Sequence, residues 1–286
     1  ELLRSQPNSL AVTLPQTRKA EPLLEISELS VDFALPFSGV PLLGKKKNLK
    51  AVDNVSLLLE RGESLGIVGE SGSGKSTLVR AIMGLNAPRR GDVRLQGQSI
   101  LGKQAAGSND FRRRIQMVFQ NPFDSLNPRF TVRKMISEPL RIHALVEKNQ
   151  VEQRVNELLQ LVELDPNLSG RRPGQLSGGQ CQRVGIARAL AMEPEILIAD
   201  EITSALDVTI QAQIIALLAR LRESAGLSVI FISHDLELVR SFCHRVAVFQ
   251  AGRIVEIGAI EDVLTNPRQA YTKTLLASAP KTTGRI

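Results

Sequence analysis

Three short stretches hold most of the reactive groups in this chain. The first, Gly69-Glu70-Ser71-Gly72-Ser73-Gly74-Lys75-Ser76-Thr77, satisfies the G-x-x-x-x-G-K-[ST] pattern of a phosphate-binding loop. A nucleoside triphosphate carries several negative charges that must be held without bulky side chains in the way. Gly69, Gly72 and Gly74 let backbone N–H groups turn inward around them, and the positive end of a following helix adds to the pull. Lys75 is spaced to reach the β- and γ-phosphates, and the Ser76 hydroxyl offers an oxygen ligand to Mg²⁺. Ser71, Ser73 and Thr77 complete the expected nucleotide-binding set. The second stretch is Asp200-Glu201, which directly follows the apolar run Ile196 to Ala199. Carboxylates at the C-terminal tip of a buried strand stand where open α/β sheets bind their ligands. Beside a phosphate loop, Asp200 is expected to hold Mg²⁺ and Glu201 to orient and polarise an attacking water. The third, Leu176-Ser177-Gly178-Gly179-Gln180, places a serine and two glycines at the positive end of a helix expected over Cys181 to Ala191, a geometry suited to an anion.

The elements that must position these groups follow from apolar periodicity. A strand, Ser64 to Val68, precedes the phosphate loop, and a helix with Leu78, Ile82 and Leu85 on one side follows it. Leu23 to Leu35 alternates as a kinked strand, Pro36 to Lys50 reads as a loop, and Ala51 to Glu60 as a further strand. Gly91 to Leu95 with the turn Gln96-Gly97 reads as a hairpin, and Ile115 to Phe119 as a buried strand ending at Gln120. A polar loop with Pro122, Asn127 and Pro128 follows. Helical spacing then takes over from Val132 to Val162, most clearly over Gln150 to Val162. Strands return at Ile196 to Ala199 and Val229 to Ile232, joined by a helix from Val208 to Ser224 that Gly226 can end. Val246 to Phe249, the turn Ala251-Gly252 and Arg253 to Ile257 form a hairpin, before a short helical tail to about Ala279. Apolar strands separated by long amphipathic helices imply a mostly parallel sheet covered on both faces.

Composition narrows the class. With 286 residues and 43% hydrophobic content, the chain can bury a sizeable core. It has no apolar run of the roughly 18 residues a membrane helix needs and no secretory signal, which points to the cytosol. Two cysteines, Cys181 and Cys243, build neither a disulfide framework nor a four-cysteine metal site, and both are expected to be inert. The net charge of +7 is spread over separate groups such as Lys45 to Lys47 and Arg112 to Arg114, as on a solvated basic face. With no Trp and one Tyr, platforms for stacking nucleic-acid bases are scarce. Residues 1–22 mix polar residues and prolines without a period and read as a leader or linker.

Taken in order, the motifs resemble the ATP-binding cassette (ABC) family of ATPases. In that family the L-S-G-G-Q stretch contacts the γ-phosphate of a nucleotide held by a second, facing cassette. The resemblance therefore implies that Ser177, Gly178, Gly179 and Gln180 act across such an interface. It also implies that Gln120 is the Q-loop glutamine, near the metal, Ala205-Leu206-Asp207 the D-loop, His234 the switch histidine, and Phe33 the aromatic stacking on adenine. Read alone, Gln120 is an ordinary strand-end amide, His234 a capping residue and Phe33 a strand aromatic. The resemblance covers roughly Leu23 to Leu276. Finer segments, Gln120-Asn121-Pro122, Ser125 to Arg129, Glu138-Pro139-Leu140, Ala205 to Gln213 and the tail Asn266-Pro267 to Leu276, look like the oligopeptide, dipeptide and nickel importer branch.

The expected fold class is therefore α/β: a phosphate-loop ATPase core with a mostly parallel sheet, an antiparallel β subdomain and an inserted α-helical subdomain. The expected organisation is a leader over 1–22, an ATP-binding domain over 23–265 with its helical subdomain at about 121–188, and a tail over 266–286. Glu201, His234 and Gln120 are the expected catalytic residues. Ser76, Gln120 and Asp200 are the expected metal set. The implied function is an ATPase with ATP and Mg²⁺ that powers a peptide importer at the cytoplasmic face of the inner membrane. Its implied partners are a second cassette, two membrane permease subunits and an external solute-binding protein, with no nucleic acid. The rival is a soluble cassette acting on DNA or ribosomes. It would need long heptad arms or a charged linker between paired cassettes, and neither is present in this sequence. Two departures from the family stand out: Ile202 where Pro is usual, and no cysteine cluster after the tail for an iron–sulfur site. The start at Glu1 fits a trimmed subunit or the C-terminal half of a tandem polypeptide.

Overall fold

The computed structural model describes residues 22–34, 48–101 and 110–278. Strands β1 (Pro22–Ala34), β2 (Asn48–Glu60), β4 (Arg90–Leu95) and β5 (Gln98–Ser99) form an antiparallel sheet in the order β2-β1-β4-β5. A second sheet is built from β3 (Ser64–Val68), β6 (Ile115–Val118), β7 (Ile196–Asp200), β8 (Ser228–Ile232), β9 (Arg245–Gln250) and β10 (Arg253–Ala259). Its order is β10-β9-β3-β8-β7-β6, parallel throughout except for the antiparallel β9–β10 hairpin.

The strands β3, β7 and β8 are buried at every position, as continuous apolar runs in a parallel sheet must be. Alternate side chains enter separate cores. Leu65, Ile67, Ile196, Ile198, Ile230 and Ile232 join the antiparallel sheet in one cluster, while Leu197, Ala199, Val229 and Phe231 join the helices in the other. This is the two-residue period of a strand covered on both faces. The parallel pairing puts the C-terminal tips of β3, β7 and β8 along one edge, so the phosphate loop, Asp200-Glu201 and Ser233-His234 emerge side by side.

Among the described residues the α-helices are α1 (Lys75–Ile82), α2 (Asp110–Arg114), α3 (Pro122–Ser125), α4 (Val132–Ile142), α5 (Val151–Leu161), α6 (Gly178–Leu190), α7 (Val208–Ala225), α8 (Leu236–Phe242), α9 (Ile260–Thr265) and α10 (Ala270–Ser278). Helix α4 starts at Thr131, whose hydroxyl accepts the Lys134 N–H. Its buried Val132, Met135, Ile136 and Leu140 meet Val155, Leu158 and Leu159 of α5 in one core. Each such side chain contributes about 1.5–3 kcal/mol on burial. Helix α7 is capped by Asp207 at its start and by Gly226, with φ of 63°, at its end.

Several boundaries differ from expectation for local reasons. Leu85 lies beyond α1, which ends at Ile82 with Met83 as its C-cap ahead of Gly84 with φ of 68°, and its side chain is exposed. Strand β2 begins at Asn48 rather than Ala51, because β1 continues to pair with it through Ala34. Helix α6 begins at Gly178 rather than Cys181, because Ser177 and Gln180 close a reciprocal capping box around its first turn. The polar loop after Gln120 holds the single turn α3, and the tail is two helices, α9 and α10, rather than one. The expected leader lies outside the described residues but for Pro22, as do the last residues of the tail and most of the expected loop 36–50.

Candidate active site

The phosphate loop leaves β3 through Gly69, with φ of 151°, and enters α1 through Gly74, with φ of 110°. A Cβ at Gly69 would lie 2.1 Å from the Phe249 carbonyl oxygen, and one at Gly74 would lie 2.1 Å from that of Ala51. Only glycine combines these angles with this closeness of neighbouring backbone. The loop is also tied to the β9–β10 turn, where the Gly252 N–H donates to the Ser73 carbonyl at 2.8 Å.

Lys75 is almost completely buried at the start of α1. Its Nζ donates to the carbonyl oxygens of Gly69 and Glu70, each at 2.8 Å. Burial draws the Lys75 ammonium below its ordinary pKa, and the negative charges of Glu201 and Asp200 oppose that shift. The group is therefore held inside the loop by carbonyls that a phosphate can replace.

Across from it, the tip of β7 supplies the two carboxylates. Burial first, and then the neighbouring Glu201 charge, raise the Asp200 carboxyl above its usual range, against the pull of Ser76, Arg80 and Lys75. Its Oδ1 is buried without a hydrogen-bond partner. Glu201 has a left-handed backbone with φ of 50°, which is uncommon for a residue other than glycine. The conformation is held by its N–H donating to the Ile232 carbonyl at 3.0 Å and by the Ser204 hydroxyl donating to its carbonyl at 3.0 Å. The Gln120 Nε2, at the end of β6, donates to Glu201 Oε2 at 2.8 Å.

These groups surround a cleft of about 490 Å³. Phe33, Ser71, Gly72, Ser73, Gly74, Lys75, Ser76, Thr77, Gln120 and Glu201 all line it, with Gly69 and Asp200 just beneath. Phe33 is 41% exposed, so its ring stands open at the cleft wall rather than in the core. The remaining expected residues lie elsewhere. His234 is exposed and does not line the cleft, although it follows Ile232, the residue that accepts the Glu201 N–H, by two positions. Ser177, Gly178, Gly179 and Gln180 also lie outside it. The Ser177 Oγ accepts the Gln180 N–H at 3.2 Å, and Gln180 Oε1 accepts the Ser177 N–H at 2.9 Å. Gly178 and Gly179 pack over Leu206 and Ile210. Within one chain the two anion-binding elements are therefore separate.

Leu49, Lys50, Ala51, Ala251 and Gly252 also line the cleft. Ala251-Gly252 is legible in the sequence as a hairpin turn, but its position beside the loop depends on β9 pairing with β3. Both cysteines are buried, and burial pushes the Cys181 thiol up to about 11 and the Cys243 thiol higher still. Ile202, in the position usually taken by Pro, is packed into the core behind Glu201.

Residues 52–204, which carry the phosphate loop, Gln120, the Ser177 to Gln180 turn and both carboxylates, match the model of the ABC transporter family. The chain belongs to the ABC transporter family. As an ABC cassette it is an ATP-binding, ATP-hydrolysing transport protein. It is 48% identical over 259 residues to the oligopeptide transport ATP-binding protein OppF of Salmonella typhimurium, covering 90% of this chain and 78% of that one. It is 46% identical over 261 residues to the glutathione import ATP-binding protein GsiA of Pectobacterium atrosepticum, covering 91% of this chain and 42% of that longer one. Among solved structures, the dimeric post-hydrolysis state of the cassette MJ0796 bound to ADP and Pi superimposes with a TM-score of 0.71 at 30% identity, over 83% of this chain and 98% of that one. No described helix of this ABC chain is long and apolar enough to cross a membrane.

Proposed function

We propose that this ABC cassette is the ATPase subunit of a peptide importer, working at the cytoplasmic face of the cell membrane. In this reading it pairs with a second cassette and docks on two permease subunits served by an external solute-binding protein. The observation that carries it is the division of the site. Lys75, Ser76, Glu201 and Gln120 line one cleft, with Asp200 beside Ser76, while the Ser177 to Gln180 turn lies outside it. Two copies facing each other would bring the turn of one to the cleft of the other, so ATP completes the interface and loss of its γ-phosphate opens it.

Lys75 exchanges its two carbonyl acceptors for the β- and γ-phosphates, and the inward N–H groups of the loop hold the remaining charge. Phe33 stacks on the base. Glu201, oriented by Gln120, takes a proton from the attacking water, and His234 sits next to the γ-phosphate once the tips of β7 and β8 close on it. Mg²⁺, when bound, neutralises charge developing on the phosphates. The residues present suit it. Ser76 and Asp200, with its orphaned Oδ1, would hold it beside Gln120, and among the described residues no cluster of three or more His, Cys, Asp or Glu builds an all-protein cage.

The peptide cargo rests on likeness to named oligopeptide transport proteins. The test is ATPase activity of the chain assembled with its membrane subunits and binding protein. Turnover should rise when the binding protein is loaded with oligopeptide. Turnover that instead answers to DNA or ribosomes would sink the importer reading.

A further inference from the structure

The phosphate loop is gripped at a point none of its own motif residues explains. The backbone N–H of Glu70 donates to the Tyr271 hydroxyl oxygen at 3.1 Å, although 201 residues separate the two in sequence. Tyr271, the only tyrosine in the chain, lies on α10, partly buried with Leu275 and Leu276 against the helical core. The main chain is thus fixed on both sides of the Glu70 Cα: the N–H by Tyr271 and the carbonyl by Lys75 Nζ, at 2.8 Å. Helix α10 is itself anchored, because the Glu256 carboxylate on β10 accepts the N–H groups of Arg268 and Gln269 at 2.8 and 3.1 Å.

We infer that Tyr271 is a positioning residue for nucleotide binding, and that the Glu256-anchored C-terminal helix is a latch on the phosphate loop. The latch works through Glu70 and touches no nucleotide. By holding the Glu70 peptide in place it keeps the loop's inward N–H groups and Lys75 arranged before ATP arrives, so less ordering accompanies binding. Phenylalanine at 271 keeps the packed ring and removes only the acceptor. Glutamine at 256 loosens the helix from its other end.

This inference rests on ATP occupying the cleft, so ATP·Mg²⁺ affinity is first measured on the unmodified chain by calorimetry. Tyr271→Phe should then bind about two- to tenfold more weakly, the range set by one hydrogen bond. Its unfolding temperature without nucleotide should stay within error. In the assembled transporter the deficit should lie in KM and vanish at saturating ATP. Glu256→Gln should weaken binding in the same direction, and the double variant should be no worse than the poorer single one, since both act through one contact. An affinity for Tyr271→Phe within error of the unmodified chain, or fully additive losses in the double variant, overturns the latch and leaves the nucleotide site standing. An unmodified chain that binds no ATP overturns the nucleotide reading and the latch with it.

Discussion

The phosphate loop and the Ser177 to Gln180 turn both offer backbone N–H groups to an anion, yet the chain treats them differently. The loop is enclosed: Lys75 is bonded to its carbonyls, Gly252 holds Ser73, Tyr271 holds Glu70, and two carboxylates stand opposite. The turn is satisfied by its own capping box and by packing on Leu206 and Ile210. In the proposed reading, one region holds the nucleotide by itself and the other completes a site held by a facing copy.

That contrast can be broken or sharpened by substitution. Glu201→Gln should retain ATP binding and lower turnover of the assembled transporter by about 10²–10⁴-fold, the usual loss for a positioned base. Turnover close to normal would remove Glu201 from that role. Lys75→Ala strikes the enclosed region, so the isolated chain should already lose roughly 10–100-fold in ATP affinity, as expected when a charge-assisted hydrogen bond is deleted. Calorimetry on the single chain checks this. Gly179→Ala strikes the outward region, where the new Cβ would meet Ile210 Cγ2 at 2.7 Å and displace the turn. It should cost about 1–3 kcal/mol of stability by overpacking. ATP affinity of the isolated chain should be unchanged while transporter turnover falls, and an equal loss in both assays would erase the distinction between the regions.

The smallest effect is expected at the far end of β3. There the Ser64 N–H donates to His244 Nδ1 at 2.9 Å, while Arg222 donates to the Ser64 hydroxyl at 2.8 Å. Burial, reinforced by the Arg222 charge, lowers the His244 pKa below its ordinary 6.5. As pH falls through about 6.5 the unfolded chain takes up this proton first, so the stability His244 contributes is complete above that pH and declines until the lower native value is passed. Glu63 and Arg245 are the other charged pair near this strand end. Denaturant unfolding between pH 7.5 and 5 should show a shallower pH slope for His244→Asn than for the unmodified chain; identical slopes would show that His244 is not the titrating group.

Much of the cleft was legible because phosphate binding demands residue types at fixed spacing within one loop, and because β3, β7 and β8 announce themselves as short apolar runs. Leu85 was misplaced because periodicity continues past a helix that Gly84 has already ended. The early start of α6 was missed because apolar spacing begins after the capping box that nucleates the helix. The Ala251-Gly252 wall and Tyr271 were invisible as site residues for another reason: their neighbours are set by strand order and by a contact across most of the chain, which no local pattern records.

The amide of Glu201 hangs on the last residue of β8, and two residues further along that strand's exit comes His234. Glu201, the proposed base, and His234 are therefore linked through one main-chain hydrogen bond between the exits of β7 and β8. A main-chain displacement at either exit strains a bond shared with the other, which couples the two residues along the rim of the sheet.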